Sequence, residues 1–174
     1  MASSVLIAYA TKYGSTREVA EAVAKRLRER GLTADVKPAR EVRSLDGFDA
    51  VVLGTPLYIG SMLKDATALL EGRRSELERM PVAVFALGPI TAEQASAEGR
   101  SQLDSALAKT PWLSPAASEL FVGKYDPAKL RFLDKLIAVL PASPLHDVPA
   151  QDARDWAAID AWADGLPSAM GLSG

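Results

Sequence analysis

Apolar runs of strand length alternate with amphipathic stretches of helical period through the first half of this chain, and few folds accept that rhythm. The first run, Val5-Leu6-Ile7-Ala8-Tyr9-Ala10, contains no strongly polar position, so a strand there needs cover on both faces. Directly after it, Val19, Ala20, Val23, Ala24 and Leu27 recur at helical spacing, with Thr16 placed to cap the helix and Gly31 to end it. Thr33–Pro38 reads as a weaker, edge-like strand, in keeping with its terminal proline. Ala50–Gly54, Val82–Leu87 and Glu119–Gly123 read as further strands, with helices expected over Met62–Leu77 and Gln94–Ala108.

Such an alternation implies right-handed crossovers and a parallel sheet with helices on both faces. The expectation is therefore an α/β fold of three layers, with five parallel strands in the order 2-1-3-4-5 and residues 1–174 forming one domain. Asp126–Leu140 reads as a further helix, with Leu130, Leu133, Leu136, Ile137 and Leu140 on one side and Lys124, Lys129, Arg131 and Lys135 nearby. It makes 126–149 a helical insertion before a last helix, for which Asp152 is the expected cap, Asp155 a first-turn residue, and Trp156, Ile159, Ala163 and Leu166 the core stripe.

Composition removes several chemistries. Without cysteine there is no disulfide scaffold, thiolate metal site or cysteine nucleophile. The start of the chain does not resemble a secretory leader, and no apolar run approaches the ~20 residues of a spanning helix, so the reading is a cytoplasmic protein. With 20 basic against 22 acidic residues, nothing favours a nucleic-acid partner. His146, the single histidine, follows prolines and reads as a surface residue; no metal set and no catalytic acid–base pair stand out. Neither the G-x-x-x-x-G-K-[ST] nor the G-x-G-x-x-G pattern occurs.

In an open parallel sheet, ligands bind beyond the carboxyl ends of the strands where the strand order reverses. The first loop there is Thr11-Lys12-Tyr13-Gly14-Ser15-Thr16. A phosphate monoester in it would meet the free N–H groups of a helix start and three hydroxyls, with Gly14 allowing the tight turn and Lys12 able to add charge. An ordinary capped turn fits the same residues. The second loop, Thr55-Pro56-Leu57-Tyr58-Ile59-Gly60, places three large apolar side chains together where a flat aromatic ligand would cover them, unless they fold back over the core. Leu87-Gly88-Pro89-Ile90 is a third, weaker candidate.

Together these loops resemble the flavodoxin family, whose phosphate loop runs Ser/Thr-x-Thr-Gly-x-Thr. Here Tyr13 stands where that pattern has threonine, which removes one local hydroxyl. The Thr-Lys-Tyr-Gly-Ser-Thr loop, Gly54–Gly60, the segment Gly123-Lys124-Tyr125…Arg131-Phe132-Leu133-Asp134-Lys135-Leu136-Ile137 and the tail Asp152-Ala153-Arg154-Asp155-Trp156…Ile159…Trp162-Ala163 are similar to the menaquinone-dependent protoporphyrinogen dehydrogenases. That resemblance implies bound FMN and an oxidoreductase acting on a quinone and a small molecule, a tetrapyrrole among the candidates. It leaves open a flavodoxin-like electron carrier that serves protein partners. Carriers of the family tend to be strongly acidic and to sandwich the flavin between aromatics, whereas this chain is nearly neutral and offers Tyr58 without an aromatic in Leu87–Glu93. The helix expected over 126–140 fits plain packing on the sheet edge, a substrate lid, or peripheral contact with a membrane surface.

Overall fold

The computed structural model describes residues 1–58, 60–88, 97–125, 128, 130–143, 146 and 150–174, with Ala97 and Leu133 described by backbone alone. In chain order the elements are β1 (Ser4–Tyr9), α1 (Ser15–Glu29), β2 (Thr33–Pro38), a 3₁₀ turn (Ala39–Glu41), β3 (Ala50–Tyr58), β4 (Ser61–Met62), α2 (Lys64–Gly72), α3 (Arg74–Leu77), β5 (Val82–Leu87) and α4 (Ala97–Ala108). They continue with β6 (Ala117–Phe121), β7 (Lys124–Tyr125), α5 (Phe132–Ala138), β8 (Gln151–Asp152) and α6 (Trp156–Met170).

Five strands pair in parallel in the order β2-β1-β3-β5-β6. This is the expected 2-1-3-4-5 order; the labels shift because the short β4 folds back antiparallel onto the end of β3. Alternate residues of β1 supply the two faces. Val5, Ile7 and Tyr9 pack with α1 and α6, while Leu6, Ala8 and Ala10 pack with α2 on the opposite side. Because both faces are covered, period-two patterning carries no polar side, and the run is apolar throughout.

On the α6 side, Trp162 meets Phe85 and Phe121 edge-on, at centroid distances of 5.9 and 5.8 Å. Phe85 lies beside Gly54 in the β3–β5 register, and a Cβ at position 54 would come within 2.2 Å of its Cζ. Glycine is therefore required in the middle of β3 for space rather than for backbone freedom.

Several boundaries differ from expectation. β3 does not stop at Gly54, because β5 runs alongside it and pairs Thr55 with Ala86 and Pro56 with Leu87. The stretch expected as one helix over Met62–Leu77 gives its first residue to β4 and then breaks at Gly72-Arg73, where a glycine is a poor helix former. β6 begins at Ala117 and ends at Phe121, two residues ahead of the expected Glu119–Gly123. α4 starts at Ala97, with 94–96 outside the described residues. Helix over the 126–140 stretch is confined to Phe132–Ala138, and the segment is entered and left by an antiparallel ribbon of β7 and β8. Positions 126, 127 and 129, and the Leu133 side chain, lie outside the described residues. Asp155, not Asp152, caps α6, its Oδ1 accepting from Ala158 N–H at 3.0 Å; Asp152 is drawn away by Arg154. Trp156 leaves the core stripe: it is 40% exposed and lies against the Arg154 guanidinium at 4.7 Å. No helix among the described residues is long and apolar enough to cross a membrane.

Gly54→Ala tests the packing of β3 on Phe85. Overpacking a rigid core typically costs about 1–3 kcal/mol, so the urea midpoint should fall with an unchanged slope, and Phe85→Leu in the same chain should recover part of it. A neutral Gly54→Ala would contradict the crowding.

Candidate functional site

β1, β3 and β5 end on one edge of the sheet, and the turns that follow them converge there. Ala10 N–H donates to Gly54 O at 2.8 Å, which fastens the start of the first turn to β3. Thr11 Oγ1 then accepts from Gly14 N–H at 2.8 Å and draws the turn closed. Gly14 has φ 92° and ψ −12°, a left-handed conformation that a side chain adopts only with strain.

That backbone sets where α1 begins. Gly14 itself is the N-cap, with its carbonyl accepting from Glu18 N–H at 3.3 Å, and Ser15 is the first helical residue. Thr16 therefore does not cap the helix as expected but sits inside its first turn. It is fully buried, and its Oγ1 has no hydrogen-bond partner among the described residues. A buried hydroxyl without a partner is disfavoured by roughly 1–3 kcal/mol, so it marks a position where an acceptor is missing. Two residues before it, a Cβ on Gly14 would meet nothing within 4 Å. The first N–H groups of α1 have no intrahelical acceptors. Residues and space together suit an anion with several acceptor oxygens.

The second turn is a hairpin. β3 reaches Tyr58, Gly60 turns with φ 67°, and Ser61 and Met62 pair back onto Tyr58 and Leu57. Lys109 Nζ holds it by donating to Ser61 Oγ at 2.9 Å. Thr55 is fully buried, and its hydroxyl is satisfied internally, donating to Pro56 O and accepting from Leu63 N–H. Pro56 is buried, Leu57 half-buried and Tyr58 exposed, so apolar surface at this edge comes from Leu57 and Tyr58. Ile59 lies outside the described residues, as do Pro89 and Ile90 in the third turn. There Leu87 is buried and Gly88 N–H donates to Phe121 O at 3.0 Å.

The chain from beyond β6 reaches this edge too. Asp134, on α5, accepts from Tyr13 O–H and pairs with Lys12 Nζ at 2.5 Å. Arg131 N–H donates to Tyr13 Oη at 3.4 Å. Lys12 Nζ lies 5.5 Å from the ring centroids of both Tyr13 and Tyr58, in the range of cation–π attraction. Hydrogen bonds from Lys12 and Tyr13 hold the Asp134 carboxyl below the usual carboxylate range. The bond to Asp134 raises the Lys12 ammonium in turn. Although Tyr58 keeps an exposed edge, partial burial, with Tyr13 and Asp134 adding to it, pushes its phenol up to about 12.

Arg154 is the other contributor that sequence reading missed. Its side chain is only 2% exposed, and it joins Asp152 (2.6 Å), Glu18 (2.5 Å) and the Ser15 carbonyl (3.3 Å). It thereby fixes the ribbon to the start of α1. Asp134 and Arg154 both fall in segments that carry the family resemblance, but no role attached to either, because each lies over 120 positions from its partner in the first turn. An arginine between acidic residues just before a helix was the one signal for the second.

Residues 6–144 match the model of the flavodoxin domain. The chain is 24% identical over 139 residues to the protoporphyrinogen IX dehydrogenase [quinone] of Escherichia coli K12, covering 78% of this chain and 76% of that protein. Over 91 residues it is 32% identical to an NAD(P)H dehydrogenase (quinone) of Cupriavidus metallidurans, covering 40% of this chain and 46% of the relative, so it spans about half of that protein's length. Among solved structures, a single-site variant of the flavodoxin from Pseudomonas aeruginosa aligns with TM-score 0.58 at 19% identity, covering 97% of this chain and 99% of the other. The rubredoxin oxygen:oxidoreductase of Desulfovibrio gigas aligns with TM-score 0.55 at 14% identity, covering 97% of this chain and 36% of that one. At such identities the structural matches show the fold.

The bond network on Asp134 ties α5 to the first turn, and its loss should free α5 locally. A partly exposed ion pair is worth up to ~1 kcal/mol, so Asp134→Ala should raise the rate of native-state tryptic cleavage at Arg131 and Lys135 roughly fivefold, with little change in the thermal midpoint. A carboxyl held low in the folded state stabilises above its unfolded value near pH 4 and loses that contribution as pH falls through the folded value. The protection of α5 amides against hydrogen exchange, relative to the intrinsic rate at each pH, should therefore fall in the unaltered protein only below about pH 4. Cleavage unchanged by Asp134→Ala would show that α5 is held by other contacts.

Proposed function

This chain belongs to the flavodoxin family, and from that premise we propose that it is an FMN-dependent oxidoreductase acting on a quinone and a small apolar substrate of the tetrapyrrole kind. The observation that carries the reading is the buried Thr16 hydroxyl, without a partner among the described residues, in the first turn of a helix capped by the left-handed Gly14. A flavin phosphate supplies the acceptor that this hydroxyl and the first N–H groups of α1 lack.

In this reading Thr11, Gly14, Ser15 and Thr16 hold the phosphate. Leu57 and Tyr58 give the ring an apolar wall, and backbone at Thr55, Pro56, Gly60, Leu87 and Gly88 shapes its edge. Ile59, Pro89 and Ile90 complete the set expected from sequence. Lys12, read from sequence as able to add charge, and Tyr13, the loop residue that departs from the family pattern, take a bracing role through Asp134. The bound flavin supplies the electron transfer itself. The chain's own residues place it and exclude water with apolar walls. No side chain is assigned to proton transfer.

Two features support an enzyme over a carrier. The E. coli relative, similar over three-quarters of its length, bears the name of a quinone-linked dehydrogenase. A balance of 20 basic and 22 acidic residues gives little of the steering field that draws a carrier onto basic partners. Contact of the insertion with a membrane would suit a lipid quinone.

Purified protein should be yellow, release FMN on denaturation, and oxidise protoporphyrinogen when a menaquinone analogue is supplied. A colourless protein that ignores added FMN contradicts the reading, and a yellow one that passes electrons only to protein partners makes it a carrier. Thr16→Val adds a test with two signs. Losing one hydrogen bond to a charged group should weaken FMN roughly tenfold or more, while the flavin-free protein should be no less stable, because an unpartnered hydroxyl has been removed. Unchanged FMN affinity would mean that Thr16 does not face the phosphate.

A further inference from the structure

We propose that α5 is an interfacial helix that lies on an anionic lipid surface, apolar side down. The inference is independent of whether the flavin reading holds.

Large apolar side chains in and just after α5 stand exposed among the described residues: Phe132 is 74% exposed, Val139 65% and Ile137 56%, with Leu136 and Leu140 also exposed. At helical spacing, Phe132, Leu136, Val139 and Leu140 form one outward stripe, flanked by Ile137. Asp134 and Ala138, four residues apart, form the opposite stripe. Ala138 is buried, and Asp134 is turned onto Lys12 and Tyr13. A contiguous apolar patch of this kind on a soluble surface marks a site of contact.

Charge selects the occupant. Arg131 and Lys135, again four apart, are exposed along one border of the stripe. The single carboxylate of α5 is neutralised on the inner side, so the outer side carries apolar and positive groups alone. A second copy would oppose Arg131 and Lys135 to basic residues of the same face across a two-fold axis. A bilayer with anionic headgroups satisfies both parts at once, taking the apolar stripe into the headgroup–acyl boundary and the cations against phosphates. Lys12 and Tyr13 hold the helix by its acidic side, which leaves the apolar stripe turned away from the first turn.

Sedimentation with sucrose-loaded vesicles tests this on the full chain. Vesicles of phosphatidylcholine with phosphatidylglycerol should retain the protein, phosphatidylcholine alone should not, and added salt should release it. Arg131→Glu with Lys135→Glu, and separately Phe132→Ser with Ile137→Ser, should each weaken binding roughly tenfold or more. Circular dichroism melts should be unaltered, since all four side chains are exposed. No retention on anionic vesicles overturns the proposal, as does retention that neither double variant changes or that neutral vesicles match. A concentration-dependent dimer lost in Phe132→Ser with Ile137→Ser, without vesicle binding, assigns the face to a second copy and also overturns it. Flavin content measured on the same samples keeps the two readings apart, because vesicle binding by a flavin-free protein sinks only the one above.

Discussion

A parallel sheet buried on both faces leaves no polar position along its strands, and that constraint organises the rest of the molecule. β1 sits between β2 and β3, with α1 and α6 on one side and α2 on the other. Polar chemistry is thereby confined to the strand ends. At the carboxyl end of β1 the chain must turn from the sheet into α1 within a few residues, and the left-handed backbone of Gly14 makes that turn possible. One consequence is the placement of Thr16: a hydroxyl that would have capped the helix is carried inside its first turn and has no partner among the described residues.

The same turn is used a second time by the insertion. The family pattern has threonine where this chain has Tyr13, and the longer side chain reaches Asp134 on α5 while Lys12 pairs with the same carboxylate. A hydroxyl lost from the turn is exchanged for a brace on an exposed apolar helix. Arg154 fixes the other end of the insertion, with its guanidinium enclosed by Asp152, Glu18 and the Ser15 carbonyl. Candidate cofactor turn and insertion are therefore one connected polar network at the sheet edge.

Much of this was legible in the residues. Runs such as Val5–Ala10 and Val82–Leu87 gave the buried strands because burial on both faces removes every polar alternative, and the helical spacing of Val19 to Leu27 gave α1. Hydroxyls and one glycine between strand and helix gave the candidate phosphate turn. What sequence hid was set by contacts distant along the chain. β3 runs past Gly54 because β5 is long enough to pair with it, which Thr55 and Pro56 do not advertise. Trp156 reads as core by spacing but is drawn out onto Arg154. Asp134 looks like any surface carboxylate until the fold brings it to Lys12 and Tyr13.

The central claim is that the turn Thr11–Thr16 receives a phosphate, and titration calorimetry of the flavin-free protein with FMN against riboflavin tests it most directly. The two ligands share the ring and differ in the phosphate. Hydrogen bonds to a charged group contribute about 1.5–3 kcal/mol each, so FMN should bind roughly a hundredfold tighter or more, with inorganic phosphate competing against FMN but not against riboflavin. Equal affinities for the two flavins would contradict the account.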